Sequence, residues 1–491
     1  MKRANLLLVL LLIGLVGCIY NSLPDDMASP IAVSEQGFDL TFSTRAEAFD
    51  GVELDSEYFV AEHDLESYLN YKQKHSGKKI NIKNYSAYGF DNSHTLFYVI
   101  NYDKGWEVVS ADKRTQPTLA YGDGERTFSM GADNTNEAEK FWMEMLASDV
   151  LQKRQRSHST RSTDTNNLIA DEEEQSNVAF WNRVCVTNGT KAIEIDSPSA
   201  LPWTPTNHIY TLGTTTDTVV VRKGPYTITQ WGQWHPWNTK CPQKSNNNGE
   251  RAPAGCVAVA GGQLLYYLAY KYDIPISIPY DAEVVGNTLS YNFVHSTEYT
   301  HNRWDDMALT QAEWSENYTY YTDNVAQLLA WLGYKVDMEY GDERSGSDSI
   351  EMMTVISNYG FAYSSSPYNS HIFYNQLDSL CMPVYISAKP TGNDGGHAWL
   401  ADGIIKFSHI DRVYYLVSDT QLDREELLTK TFADASHVLK YALQEDYLHF
   451  NWGASGRYSG YYYLPSTNWI VEDQTYNRDI ILYYNFSPLE R

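Results

Sequence analysis

Two short stretches of this 491-residue chain hold residue types able to break an acyl bond. In "RAPAGCVAVAGGQLLYYLAY" (251–270), Cys256 stands between a Pro/Gly turn and an apolar run in which Val257, Ala260, Gly261, Leu264 and Leu268 recur at helical spacing. The cysteine therefore falls in the first turn of a partly buried helix, where unpaired N–H groups and the partial positive charge of the helix start favour a thiolate. The alternative is a small buried side chain with no chemistry. In "NDGGHAWLADG" (393–403), His397 follows two glycines that let another backbone come close, and it opens a strand on which His397, Trp399 and Ala401 share one face. An imidazole there is a candidate base for the thiol, although a lone strand histidine is more often a hydrogen-bonded core residue.

Two further stretches supply polar groups. In "YLHFNWGASGRYSGYYYL" the residues Tyr447, His449 and Asn451 share a face. An amide at the end of that strand can accept the second imidazole N–H and fix the ring's tautomer, with Trp452 shielding the bond from water. The plainer reading makes Asn451 and Gly453 a turn and Trp452 a core residue. In "TQWGQWHPWNTKCP" (229–242), the amide of Gln230 or Gln233 could donate to the oxygen that turns negative when a thiolate attacks a carbonyl; spacing does not choose between them. No C-x-x-C, H-E-x-x-H or G-x-S-x-G occurs, so zinc-site, zincin and serine-elbow signals are missing, and no metal or cofactor is expected.

These groups need a frame to position them. From about residue 179 the chain shows Tyr- and Trp-rich strand candidates separated by Gly, Asn and Asp, with helices near 256–270 and 321–334 and strands filling the last hundred residues. Helices early and strands late predict an α+β domain over 179–491 rather than an alternating parallel sheet. Upstream, residues 50–150 read as a small α+β unit, with a hairpin turning at Asp103-Lys104-Gly105 and a helix in "NEAEKFWMEMLASDVLQKRQR". Residues 151–178 are a polar, then acidic linker, and 18–49 a polar tether.

The chain opens with Lys2 and Arg3 followed by a largely aliphatic run from Leu6 to Val16, too short to span a bilayer and suited to a secretory signal over 1–17. Leu15-Val16-Gly17-Cys18 resembles a bacterial lipobox, which implies acylation of Cys18 and an anchor in an outer or cell-surface membrane. With 43% hydrophobic and 14% aromatic residues the chain is globular. Its formal charge of −25 repels phosphate backbones and argues against a nucleic-acid partner. Beyond Cys18, the thiols Cys185, Cys241, Cys256 and Cys381 do not make a disulfide framework.

Taken in order, the four stretches resemble the streptopain family of papain-like cysteine peptidases. The family pattern appears as Gln233 with Pro236-Trp237-Asn238, Gly255-Cys256-Val257-Ala258, Gly395-Gly396-His397-Ala398 with Asp402-Gly403, and Asn451-Trp452-Gly453. "VINYDKGWEVVSADKRTQPTLAYGDGERTF" resembles the family's inhibitory propeptide. The resemblance implies a papain-like fold in which a helical part carries the cysteine and an antiparallel sheet carries the histidine. It also implies Cys256 as nucleophile, His397 as base, Gln233 as oxyanion donor, and Asn451 and Trp452 beside the histidine. Protein or peptide substrates follow from it, as does the chain's own propeptide as intramolecular inhibitor, with processing in the linker. A His-paired thiol of this kind is lowered from about 8.5 to roughly 3–4. Three departures stand out: Pro236-Trp237-Asn238 stands for the usual Pro-Tyr-Asn, Ala454-Ser455-Gly456 replaces the usual Trp-Gly-Gly, and Gly261-Gly262 sits in the nucleophile helix at a cost of about 1 kcal/mol each relative to Ala. The competing readings are a surface-anchored glycan- or peptide-binding lipoprotein, or an inactive homologue, without thiol chemistry, and a papain-like hydrolase acting on cell-wall peptide without self-processing.

Overall fold

The computed structural model describes residues 38–39, 58–76, 80–89, 95–123, 128, 208–245, 249–273, 283–285, 292–294, 307–316, 321–389, 396–463, 470–471, 474–475 and 480–489, together with 146, 147, 149–151, 153, 154, 174, 176–182 and 184. The signal segment, Cys18, nearly all of the tether, most of the linker, Cys185 and Gly395 lie outside these residues. No helix among the described residues is long and apolar enough to cross a membrane.

The N-terminal unit is built on helix α1 (Glu62–Ser76) and strands β2 (Ile82–Gly89), β3 (Thr95–Tyr102), β4 (Trp106–Ser110) and β5 (Thr118–Gly122), with the short β1 (Phe38–Asp39) beside β2. Strands β2 to β5 pair in chain order as an antiparallel meander. The expected hairpin turn holds Gly105 at φ 99°, a backbone region that L side chains rarely adopt. One face of the meander packs Tyr98, Ile100 and Val109 against Leu65 and Tyr68 of α1 and against Phe180, Trp181 and Val184. Residues 151, 153 and 154 at the start of the linker are helical, as are 174 and 176–178 at its end. Asp112, after β4, takes Nε and Nη2 of Arg114 at 2.9 and 2.7 Å and Nε of Arg154 at 3.2 Å, which fixes that helical stretch to the meander.

Downstream, β6 (His208–Lys223) precedes three helices, α2 (Cys256–Tyr272), α3 (Tyr321–Lys335) and α4 (Ser349–Asn358). They are followed by β7 (Phe361–Pro367), β8 (Val384–Ala388), β9 (His397–Ser418), β10 (His437–Asn451), β11 (Gly460–Tyr463) and β12 (Ile480–Pro488). The early-helix, late-strand reading holds, and the molecule is α+β. The two glycines of α2 have a packing reason: a Cβ on Gly261 would collide with Met352 of α4, and one on Gly262 would lie 3.1 Å from Leu329 of α3. Their poor helix propensity is the condition for three helices to approach closely.

These twelve strands form one sheet in the order β1-β2-β3-β4-β5-β11-β10-β9-β8-β12-β7, with β6 also alongside β9, and three short two-stranded pairs lie apart from it among the described residues. The N-terminal unit joins the C-terminal one edge to edge, Tyr121 opposite Tyr461 and Ala120 opposite Tyr462. Alternation along β9 divides the interior: Ala398 and Leu400 face α2 in one core, while Trp399 and Ala401 face a second. That second core is shared with Phe97, Val108, Leu119 and Val150 of the N-terminal unit.

Candidate active site

Cys256 is the first residue of α2 and is 7% exposed. Gly255 before it has φ 87°, and a Cβ there would lie 2.6 Å from the Met338 side chain, so only glycine fits the turn into the helix. Burial works to raise the thiol. The charge of His397 and its hydrogen bond, with the backbone N–H groups of Ala398 and Val257, outweigh burial and hold Cys256 below the ordinary thiol range.

His397 is the first residue of β9, opposite Ala388 of β8, and its ring centroid lies 6.3 Å from that of Trp399. Five residues on, the pairing of β9 with β10 slips between Ala401 and Gly403. Asp402 sits at this bulge with its side chain fully buried. Its carboxylate accepts from Nδ1 of His449 at 2.6 Å, from the N–H of Thr227 at 3.2 Å and from the Thr227 hydroxyl.

The aromatic loop lies against the start of α2. Ala254, two residues before the nucleophile, donates its N–H to the carbonyl of Gln233 at 2.8 Å. Gln233 is half-buried. Gln230 lies elsewhere, its side chain against Gly456. Trp237 is buried and donates to Oγ of Ser455 at 2.9 Å, while Asn238 donates to the carbonyls of Arg251 and Ala252 at 3.1 Å each. The Ser455 N–H donates to the Trp231 carbonyl at 3.1 Å. Ser455, one of the residues replacing the family's usual Trp-Gly, is thus a tie to this loop.

Asn451, 3% exposed, directs its amide at the loop and the helix: Nδ2 donates to the Thr229 carbonyl at 2.7 Å, to Oε1 of Gln263 at 3.1 Å and to Oγ1 of Thr227 at 3.3 Å. Its Oδ1 accepts from Nε2 of Gln263 and the N–H of Gly453, both at 3.3 Å. Trp452 packs on Trp399 with ring centroids 5.2 Å apart and donates to the Tyr462 hydroxyl at 3.1 Å. Trp399 thus has both the Trp452 ring and the His397 ring beside it, with centroids 5.2 and 6.3 Å away. Sequence reasoning missed Gln263, Thr227, Thr229 and the pairing of Asp402 with His449. The signal for Gln263 was present, as the lone amide in the otherwise apolar and aromatic run from Val257 to Tyr270.

Of the other described thiols, Cys241 is buried and pushed up to about 12 by desolvation, and Cys381 is half-buried. Among the described residues no cluster of three or more His, Cys, Asp or Glu could hold a metal ion.

Residues 231–462 match the Peptidase C10 family, and residues 60–150 match a second family, the Spi protease inhibitor. Streptopain of Streptococcus pyogenes is 25% identical over 197 residues, 36% of this chain and 47% of the relative. The streptopain of serotype M28 of that organism aligns to the same extent. The chain thus spans about half the length of the curated relatives it matches. A solved fragment of prointerpain A from Prevotella intermedia is 18% identical, with a TM-score of 0.45, covering 83% of this chain and 98% of its own.

Proposed function

Because the chain belongs to the streptopain family, Peptidase C10, and carries a Spi-inhibitor-type propeptide segment ahead of the peptidase region, we propose that it is the exported zymogen of a cysteine endopeptidase. The observation that carries the reading is a nearly buried thiol at a helix start, held below its ordinary range chiefly by His397, beside the loop that bears Gln233. In the first step the Cys256 thiolate forms an S–C bond to a peptide carbonyl, whose oxygen becomes an oxyanion held by the Gln233 amide and the Cys256 backbone N–H. His397 then gives its proton to the departing nitrogen as the C–N bond breaks. Water, deprotonated by His397, attacks the thioester; the acid leaves and the Cys256–His397 pair is restored. Asn451 and Trp452 support the strand end and loop around that pair.

Residues 50–150 serve as the intramolecular inhibitor and the 151–178 linker as the processing region. Export through the 1–17 segment, with acylation of Cys18, anchors the precursor at a membrane. The test is intact-mass analysis of residues 19–491, wild type against Cys256→Ala, in reducing buffer with a thiol-directed epoxide. The wild type sheds an N-terminal fragment ending in the linker and takes one adduct at Cys256, and the variant does neither. If both stay intact and unlabelled even after trypsin has removed the N-terminal unit, the thiol is structural and the binding-lipoprotein reading replaces this one.

A further inference from the structure

The polar residues around Asn451 join the helix that bears Cys256 to the loop that bears Gln233. Gln263 lies seven residues beyond Cys256 on α2, two turns along the same side and roughly 10 Å from it along the axis at ~1.5 Å per residue, so it does not touch the reacting atoms. It is fully buried in a helix that otherwise presents apolar side chains to the core. Its Oε1 accepts from Oγ1 of Thr229 at 3.2 Å, from the Trp231 N–H at 3.3 Å and from Nδ2 of Asn451 at 3.1 Å. Its Nε2 returns a bond to Oδ1 of Asn451 at 3.3 Å.

Trp231 is where this network meets the loop. Its N–H goes to Gln263, its carbonyl accepts from the Ser455 N–H at 3.1 Å, and its indole donates to the Ala308 carbonyl at 2.8 Å. Gln233 follows two residues later. The Asn451 amide fixes the other side of the same segment through Thr229 and Thr227. Resting on the peptidase reading above, we propose that Gln263 and Asn451 form a positioning pair that sets the Gln233 loop against the Cys256 helix. They act on the oxyanion of the transition state and not on the thiolate. A buried amide pair suits this role: its bonds are directional, and an unpartnered member costs the full desolvation of its polar atoms, so the loop is held to one register.

The two duties can be separated in one protein. Alkylation of Cys256 by iodoacetamide needs the thiolate and no oxyanion donor, whereas peptide hydrolysis needs both. Each chain is freed of its inhibitor segment with added trypsin, and both rates are then measured. Gln263→Met keeps the volume and removes every bond of the amide. It is expected to lower kcat by about 10²-fold, the scale of a misplaced or missing oxyanion donor, with KM within about threefold and alkylation within about twofold of wild type. Gln263→Glu retains the acceptor and sets a carboxylate oxygen against Oδ1 of Asn451 in place of the Nε2 donor, so it breaks that bond and opposes the pair. It is expected to show the same split at roughly 3- to 10-fold, and it carries the test alone if Gln263→Met does not fold. Unchanged kcat in the folded variants, or hydrolysis and alkylation falling together, overturns the proposal while leaving the peptidase reading intact. A wild type that neither hydrolyses nor alkylates at Cys256 overturns both.

Discussion

Two buried thiols in one core show how local the decision to ionise is. Cys241 is enclosed with little to offset its desolvation and is pushed up to about 12. Cys256 is also desolvated, yet His397 and two backbone N–H groups bring it below the ordinary range. Since the charged form is the one stabilised, Cys256 stays a thiolate as pH falls below about 8.5, and its reactivity fades only where the lowered pKa is crossed. Iodoacetamide labelling followed over pH should therefore give a midpoint under the free-thiol value. His397→Ala should move that midpoint upward past the free-thiol value, because burial then acts with less opposition. Cys256 and His397 were legible because helix starts and Gly-Gly-His strand starts leave local marks. The partners of Asn451 were not, since Thr229 lies 222 positions away and nothing in "FNWG" says which element its amide will meet.

Among the elements, the nucleophile helix shows why propensity is a weak guide to stability. Replacing Gly261 by Ala gains about 1 kcal/mol of helix propensity, but the new methyl collides with Met352 of α4. Overpacking at such a contact costs about 1–3 kcal/mol, so Gly261→Ala should lower the midpoint of thermal unfolding, and combined with Met352→Ala it should lose less than the sum of the two single losses. Calorimetry of the three variants checks this, and a more stable Gly261→Ala would contradict the packing account. The sequence marked helices α2 and α3 and the strands that became β9, β10 and β11 through their periodicity. It could not mark that Asp402 would form a bulge against His449, because the slipped register depends on how two strands align and not on either strand alone.

At the scale of the whole molecule, the N-terminal unit completes the sheet of the C-terminal one and also covers one of its carboxyl groups. Glu445 of β10 is raised above the usual carboxyl range by desolvation, against the opposing pull of His409, Tyr447, Gln116 and Lys72. Gln116 and Lys72 belong to the N-terminal unit, and the Tyr447 hydroxyl donates to the Thr118 carbonyl of β5 at 3.1 Å. A raised carboxyl favours the docked state below the free value of about 4.3, and that contribution is lost as pH climbs through the raised one. The docked unit should therefore be shed faster at neutral than at acidic pH, and Glu445→Gln should flatten that dependence; an unaltered slope in the variant would assign it to other groups. No residue pattern announced the joining of β5 to β11, because an edge pairing between distant segments has no local signature. Phe180 and Trp181 add a final consequence. The proposed cut within the 151–178 linker leaves both rings on the C-terminal fragment while they remain sunk among Leu65, Tyr68 and Ile100 of the other piece. Scission is then not yet liberation: it turns a tethered partner, at an effective concentration on the order of millimolar, into an ordinary bimolecular one. Under the proposed function, waking the catalytic piece becomes a matter of dilution, so the nicked pair should travel together through size exclusion when concentrated, and Trp181→Ala should let it part sooner.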